Sequence, residues 1–355
     1  MVLCLKVPKK AAEEIRKLLL QFDLLNTTFR IKSQEDWLLI PLSREIQETE
    51  KAEIESLGVA IKTLPCGLLE KIRTRPNSHL EILEKHVSKE EFSLLPRSFD
   101  TIGDIAIVEI PESMWDKREL IAKAFLDAYA NIKSVFAKTG KVNGITRIRP
   151  VSFIAGENKT KTIHKEYGLR FAIDITKAYF SPRLSEEHTR IASLVQPGEI
   201  VVDLFCGIGP FALPIAKRVA ATVHAIDINP EAIELLKENL RLNKLLGKVI
   251  PYAGDCRDVV EKKQLLGVAD RVIMNLPGYA ISFLDVACKT LKKEGGVIHF
   301  FEFVGGEGSP EEKIVEDVTR EILKNHRSVL KVLNVRKVRM SAPRQWQMVA
   351  DVLVK

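Results

Sequence analysis

Cysteine is scarce: five in 355 residues (Cys4, Cys66, Cys206, Cys256 and Cys288), scattered and never in a Cys-x-x-Cys pair. That usage argues against a disulfide framework and a structural zinc site, and makes a reducing cytosol the default compartment. No apolar run approaches the ~18 residues that cross a bilayer, so no membrane partner is expected. The opening apolar stretch stops at Lys6 and is not a signal peptide. Glycine and proline number only 19 and 16, and charged residues make up 28%, which excludes a disordered, low-complexity or fibrous chain. The length exceeds one ordinary domain and predicts two or three, at roughly 100–200 residues each.

The net charge of +7 is unevenly spread. Residues 131–170 hold nine basic side chains against Glu157 and Glu166, and residues 322–350 hold seven with no Asp or Glu. Clustered positive charge suits a polyanion, because each phosphate contact releases counterions. A solvated face on a lysine-rich protein would look the same by charge alone.

Hydrophobic periodicity divides the chain. A strand over 2–6, a helix over 9–20 and strands over 37–40 and 59–63 predict a small α+β domain, 1–66. Residues 67–97 are polar and are expected to be a linker. Residues 98–165 predict a second α+β domain: a strand over 105–110, a helix over 117–130, and strands over 134–138 and 147–153 around a basic loop. From Glu199 onward, β-rich runs alternate with helical segments, ending in two strands with no helix between them. That alternation predicts a mostly parallel Rossmann-like α/β sheet with an antiparallel edge strand, over 166–355. Ligand is expected at the carboxyl ends of its strands.

The first of those strands ends in Asp203-Leu-Phe-Cys-Gly-Ile-Gly-Pro-Phe211. Gly207 and Gly209 permit a tight turn and close backbone approach to a ligand. The second strand ends in Asp227-Ile228-Asn-Pro230, where a carboxylate can accept both hydroxyls of a ribose. Asp255 and Cys256 follow the third strand, and Asn275-Leu-Pro277 the fourth. One such Asp reads as a loop cap. Three at successive strand ends favour S-adenosylmethionine (SAM) over NAD. The set resembles class I SAM-dependent methyltransferases. The resemblance implies that the 203–209 turn faces the methionine part, Asp227 the ribose, Asp255 and Cys256 the adenine, and Asn275 the transferred methyl.

Further motifs narrow the resemblance. Pro182-Arg183-Leu with Glu187, Ala155-Gly-Glu-Asn158, the three strand-end motifs and Ser341-Ala-Pro-Arg344 together resemble the archaeal and eukaryotic tRNA (guanine-N1)-methyltransferases acting at position 37. The likeness runs over essentially the whole chain, including Leu3-Cys-Leu-Lys6. It implies a base at Glu187, an arginine for guanine O6 at Arg147 with Arg149 beside it, and Tyr179 against the target base. Asn275 and Pro277 would cradle base and cofactor. His188 stands where the family often has an arginine touching the cofactor. Arg183, Lys138, Lys141 and Lys159 are the candidate tRNA contacts. The expected partner is tRNA, gripped at the anticodon stem-loop and, through residues 1–66, at its outer corner. The family is mostly monomeric and the chain is expected to be a cytoplasmic monomer.

The chemistry fits these residue types. Guanine N1 carries a proton and is a poor nucleophile, and its deprotonation pushes charge toward O6. A carboxylate, a cation and an in-line methyl donor are therefore required. N1 lies on the Watson–Crick edge, so the base must leave its stack and rest against an aromatic such as Tyr179. Helix capping is the competing explanation for Glu187, since Ser185 is a natural N-cap and first-turn carboxylates are favoured. Two other functions remain open. One is wybutosine-pathway modification, by C7 methylation or aminocarboxypropyl transfer. Many relatives acting on exocyclic amines or tricyclic bases carry Asn-Pro-Pro-Tyr; here Leu276 and Gly278 stand at its second and fourth positions. The other is a non-catalytic tRNA-binding protein that keeps SAM.

Overall fold

A computed structural model describes residues 2–67, 69, 76, 78–140 and 147–355. The chain forms two compact units, 1–76 and 77–355. In the first, strands β1 (Leu3–Pro8), β2 (Lys32–Gln34), β3 (Trp37–Pro41) and β4 (Lys62–Pro65) form an antiparallel sheet ordered β2-β3-β1-β4. Helices α1 (Ala12–Gln21) and α2 (Glu48–Glu55) belong to the same unit. Leu5, Val7, Ile15, Leu19, Ile40 and Ile54 make its core.

One expectation fails here. Cys4 and Cys66 are joined in a disulfide, with Cα atoms 5.1 Å apart. Pairing of β1 with β4 places Leu3 opposite Pro65 and Cys4 opposite Leu64, which brings the two thiols together. A separation of 62 residues conceals such a pair from any spacing motif.

In the second unit, the segment expected as a linker carries helices α3 (His79–Leu83) and α4 (Lys89–Leu94). Leu83 and Leu95 are buried in a core shared with α5 (Arg118–Ala128), so most of this segment belongs to the folded unit. Most of its polar residues face solvent, His79 being buried, while apolar positions recur among them, a short amphipathic pattern easily taken for a loop.

Strands β5 (Asp100–Ile102), β6 (Ile105–Val108), β7 (Ser134–Lys138) and β8 (Val151–Gly156) form a four-stranded sheet in that order. The expected 147–153 strand begins only at Val151. Strands β9 (Lys161–Glu166) and β10 (Leu169–Asp174) form a hairpin, so a domain boundary between 165 and 166 would cut one folding element. Ile102, Ile105 and Phe136 share a core with Val201, Ile208 and Phe211, which fuses the second α+β layer to the larger sheet.

That sheet has strands β11 (Ile200–Asp203), β12 (Thr222–Asp227), β13 (Lys248–Ala253), β14 (Arg271–Met274), β15 (Gly296–Gly305), β16 (Val329–Ala342) and β17 (Gln345–Val354), ordered β13-β12-β11-β14-β15-β17-β16. The first five are parallel, and β17 lies antiparallel between β15 and β16. Alternate residues go to opposite cores: Val201, Ile273 and Phe301 to one, Val202, Val272 and Phe300 to the other. Helices α6 (Ser185–Leu194), α7 (Ala212–Arg218), α8 (Pro230–Leu242), α9 (Cys256–Lys262), α10 (Leu284–Thr290) and α11 (Pro310–Lys324) complete the unit. The strand order reverses at β11, between β12 and β14, which opens a crevice at the strands' carboxyl ends.

Candidate active site

A cavity of about 360 Å³ occupies that crevice. Gly207, in the turn after β11, has φ +52°, and a Cβ there would meet only the Tyr179 carbonyl at 3.8 Å. The glycine therefore turns the chain while leaving its ligand side open. Gly209 also has positive φ but does not line the cavity; a Cβ there would strike Leu213 and Leu236 at 2.3 and 2.5 Å. It is a packing glycine rather than a ligand contact. Behind the turn, the buried Asn239 accepts the Ala172 N–H at 2.6 Å and donates to the Ile208 carbonyl at 3.1 Å.

Asp227, at the end of β12, accepts the Gly207 and Asn229 N–H groups at 2.7 and 2.9 Å. Burial raises its pKa above the usual carboxylate range. Asp203, fully buried behind it, is pushed up to about 8 by desolvation, with Asp227 adding to the rise. One Asp203 oxygen accepts the Phe205 N–H at 3.3 Å and the other has no partner. Asp255 caps α9 by accepting the Arg257 N–H at 2.9 Å and also lines the cavity. Beside it the buried Cys256 thiol is pushed up to about 12, too high to act as a thiolate. Ile228, 40% exposed, also lines the cavity, and Phe205 and Phe283, stacked edge-to-face at 5.1 Å, add an aromatic wall.

Segments distant in sequence complete the cavity. Tyr179, Asn275, Leu276, Pro277 and Arg147 all line it. Arg147 has φ +54° and donates from Nη1 to the Pro277 carbonyl at 2.7 Å. Burial lowers its pKa, while Tyr179, Tyr279 and Glu302 oppose that shift. Glu302 accepts the N–H of Gly278 and, at 2.8 Å, that of Phe303, and burial raises its pKa. His188 is buried in the cavity wall, with Nδ1 2.8 Å from Glu166. It thus occupies a fixed position, backed by Phe211 at 4.9 Å.

Other expected site residues lie elsewhere. Glu187 is 1% exposed and does not line the cavity. Arg190 donates to it at 2.9 Å and the Arg336 Nε lies 3.1 Å away. Arg190 also binds Asp351, itself paired with His299 at 2.7 Å. Ser185 is the first residue of α6 rather than its cap. Arg183 binds Asp100 at 2.6 Å, tying the helix entry to β5. Lys138 pairs with Asp100 and Glu109 at 3.5 and 3.6 Å, and Lys159 with Asp104 and Glu157, each at 2.8 Å. Each of these two lysines is thus paired with carboxylates of its own layer. Arg149 does not line the cavity, and Lys141 lies outside the described residues. Sequence reasoning missed Arg339 and Gln347 in the cavity wall and Glu302 beside it. The Ser341-Ala-Pro-Arg344 motif between β16 and β17 was their only nearby signal.

Five strands in this order and a cavity with carboxylates at successive strand ends define a class I SAM-dependent methyltransferase. Residues 162–334 match the TRM5/TYW2 methyltransferase domain, 80–160 the TYW2 N-terminal domain, and 4–50 the tRNA methyltransferase 5 N-terminal domain. A tRNA (guanine(37)-N(1))-methyltransferase Trm5b of Pyrococcus abyssi is 41% identical, over 100% of this chain and 99% of that protein. The solved complex of aTrm5 with tRNALeu superposes with a TM-score of 0.79 at 36% identity, covering 99% of both chains. A tRNA(Phe) (4-demethylwyosine(37)-C(7)) aminocarboxypropyltransferase of Methanocaldococcus jannaschii is 37% identical, over 71% of this chain and 96% of its own. The chain belongs to the TRM5/TYW2 family of tRNA methyltransferases.

Proposed function

We propose a division of labour among the residues of this cavity for the reaction the chain catalyses. It is a SAM-dependent tRNA (guanine(37)-N1)-methyltransferase, moving a methyl group to N1 of guanosine 37 in tRNA. The observation that carries the assignment of roles is that Arg147, Tyr179 and Asn275–Pro277 line the same cavity as Asp227 and Asp255. SAM, when bound, supplies an electrophilic methyl group. Asp227 accepts the ribose hydroxyls, Asp255 and the backbone at Cys256 take the adenine edge, and the open side of Gly207 admits the ligand.

Tyr179 carries the face of the extruded guanine. Arg147, anchored by the Pro277 carbonyl, and Asn275 face O6, where negative charge develops as N1 loses its proton. Glu187 takes that proton. It stands next to His188 on α6, where Arg190 and Arg336 hold it in the free protein, and to serve as base it would have to exchange those contacts for N1. The lowered pKa of Arg147 does not threaten its charge, because an arginine starts so high.

The tRNA is held at the anticodon stem-loop by basic side chains of β16 and the 98–165 layer, while residues 1–66 reach its outer corner. The chain works as a cytoplasmic monomer. Among the described residues no helix is long and apolar enough to cross a membrane. The full-length likeness to the N1-methyltransferase, against 71% for the aminocarboxypropyltransferase, favours N1 methylation over the wybutosine alternative. A cavity that keeps Arg147 and Asn275 beside a SAM-sized space argues against a merely tRNA-binding role. Nucleoside mass spectrometry of undermodified tRNA after incubation with enzyme and SAM tests the reading. N1-methylguanosine at position 37 is the expected product; a tricyclic product, or none, would reject it.

A further inference from the structure

We infer that Gln347 is a positioning residue that fixes which end of the Asn275 amide the cavity sees, and so selects a 6-oxo purine over a 6-amino one. The inference rests on the role proposed above for Asn275. Gln347 lies on β17, opposite Arg339 of β16 and Phe303 of β15, and is 1% exposed. Arg339 donates from Nε to Gln347 Oε1 at 2.8 Å. A guanidinium has no acceptor, so this contact dictates the orientation of the Gln347 amide: its oxygen must face Arg339. The Nε2 group is then left to face Asn275, and it donates to Oδ1 at 3.4 Å.

The consequence falls on Asn275. With Oδ1 turned to Gln347, its Nδ2 is the free end, and among the described residues no protein acceptor binds it. Arg339, Gln347 and Asn275 all line the cavity, as does Arg147. An unconstrained Asn offers either a donor or an acceptor after a half-turn of its side chain. A carbonyl presented to the base would suit an exocyclic amine, whereas an NH₂ suits a carbonyl oxygen gaining negative charge. The Arg339–Gln347 chain holds the second arrangement. Two donors, Asn275 Nδ2 and the Arg147 guanidinium, therefore await an acceptor, and the 6-amino group of adenine would meet donors only.

The decisive variant is Gln347→Glu. It keeps an acceptor for Arg339 but loses the donor, so it draws the Asn275 NH₂ toward itself and turns the carbonyl to the cavity. Single-turnover methylation of guanosine-37 tRNA should fall about 10- to 100-fold. SAM and tRNA dissociation constants should stay within about two-fold of wild type. Asn275→Ala should also slow the step, and adding Gln347→Glu to Asn275→Ala should cost nothing further, because the effect passes through that amide. Gln347→Met removes both bonds without adding charge. Its deficit should be smaller and should likewise vanish in the Asn275→Ala background, which keeps the test valid if Gln347→Glu does not fold. Multiplicative losses in the double variants, or a loss confined to SAM affinity, would overturn the inference while leaving the role of Asn275 standing. Wild-type methylation by Asn275→Ala would instead remove the role of Asn275, and the inference with it.

Discussion

Arg147 Nη1 lies 2.7 Å from the carbonyl oxygen of Pro277, across 130 residues of sequence. This bond ties the second α+β layer to the loop after β14, and so links the group proposed to face O6 to the loop proposed to cradle the base. Arg147→Ala should slow single-turnover methylation by about 2–4 kcal/mol in activation free energy if it stabilises an oxyanion. Arg147→Lys keeps the charge but not the planar fork, and should recover only part of the rate. Rapid-quench kinetics at saturating SAM and tRNA check both.

Two carboxylates are candidates for the proton at N1, the buried Glu187 and the half-buried Glu302. Glu187→Gln should cut the single-turnover rate by about 10²–10⁴-fold if Glu187 is the base, with little change in SAM or tRNA affinity. The residual rate should lose its low-pH limb. Glu302, whose pKa burial raises, sits beside Arg147 and binds the Gly278 N–H. Glu302→Gln can still accept that N–H, so its rate should fall far less. A reversed order of the two variants in the pH–rate profile would transfer the base role to Glu302.

SAM binding should weaken on acidification earlier than an ordinary aspartate would require. Burial raises the Asp227 pKa in the free protein, and accepting ribose hydroxyls favours its anion, so affinity rises as pH climbs through that raised value. Asp227→Ala should cost about 1–3 kcal/mol of SAM binding and flatten the dependence. Titration calorimetry between pH 5 and 8 measures both.

Asp203 links folding itself to pH. Its folded pKa, about 8, stands well above the ordinary value for an aspartate. The native state therefore binds the extra proton, and the associated stability is fully present below the unfolded pKa and lost as pH rises toward 8. Thermal stability without SAM should decline over that window, and Asp203→Asn should remove the decline. Differential scanning calorimetry across pH reads the effect.

The Cys4–Cys66 disulfide closes a loop of 62 residues of separation in the first unit. Loop-closure entropy assigns such a bond about 4 kcal/mol. Cys4→Ser should lower the melting temperature of that unit in the full chain while SAM affinity, proposed to reside in the cavity of the second unit, stays unchanged. Calorimetry paired with a SAM-binding assay separates the two.

The sequence alone determined the parallel sheet. Its central strands are largely apolar runs buried on both faces, and several helices begin at a local signal such as Asn229-Pro230 or Ser309-Pro310. Asp227, Asp255 and Asn275 were legible for the same reason: strand ends converge on one crevice, so position in the pattern implies position in space. Tertiary structure decided the rest, because those features depend on partners far along the chain. Gly207 and Gly209 look alike in sequence, yet only packing against Leu213 and Leu236 places one of them behind the wall. Lys138 and Lys159 counted as free charge until Asp100 and Asp104 came beside them. The disulfide, the arginines holding Glu187 and the Arg339–Gln347–Asn275 chain arise where strands pair or layers meet, and such meetings leave no periodicity in the sequence.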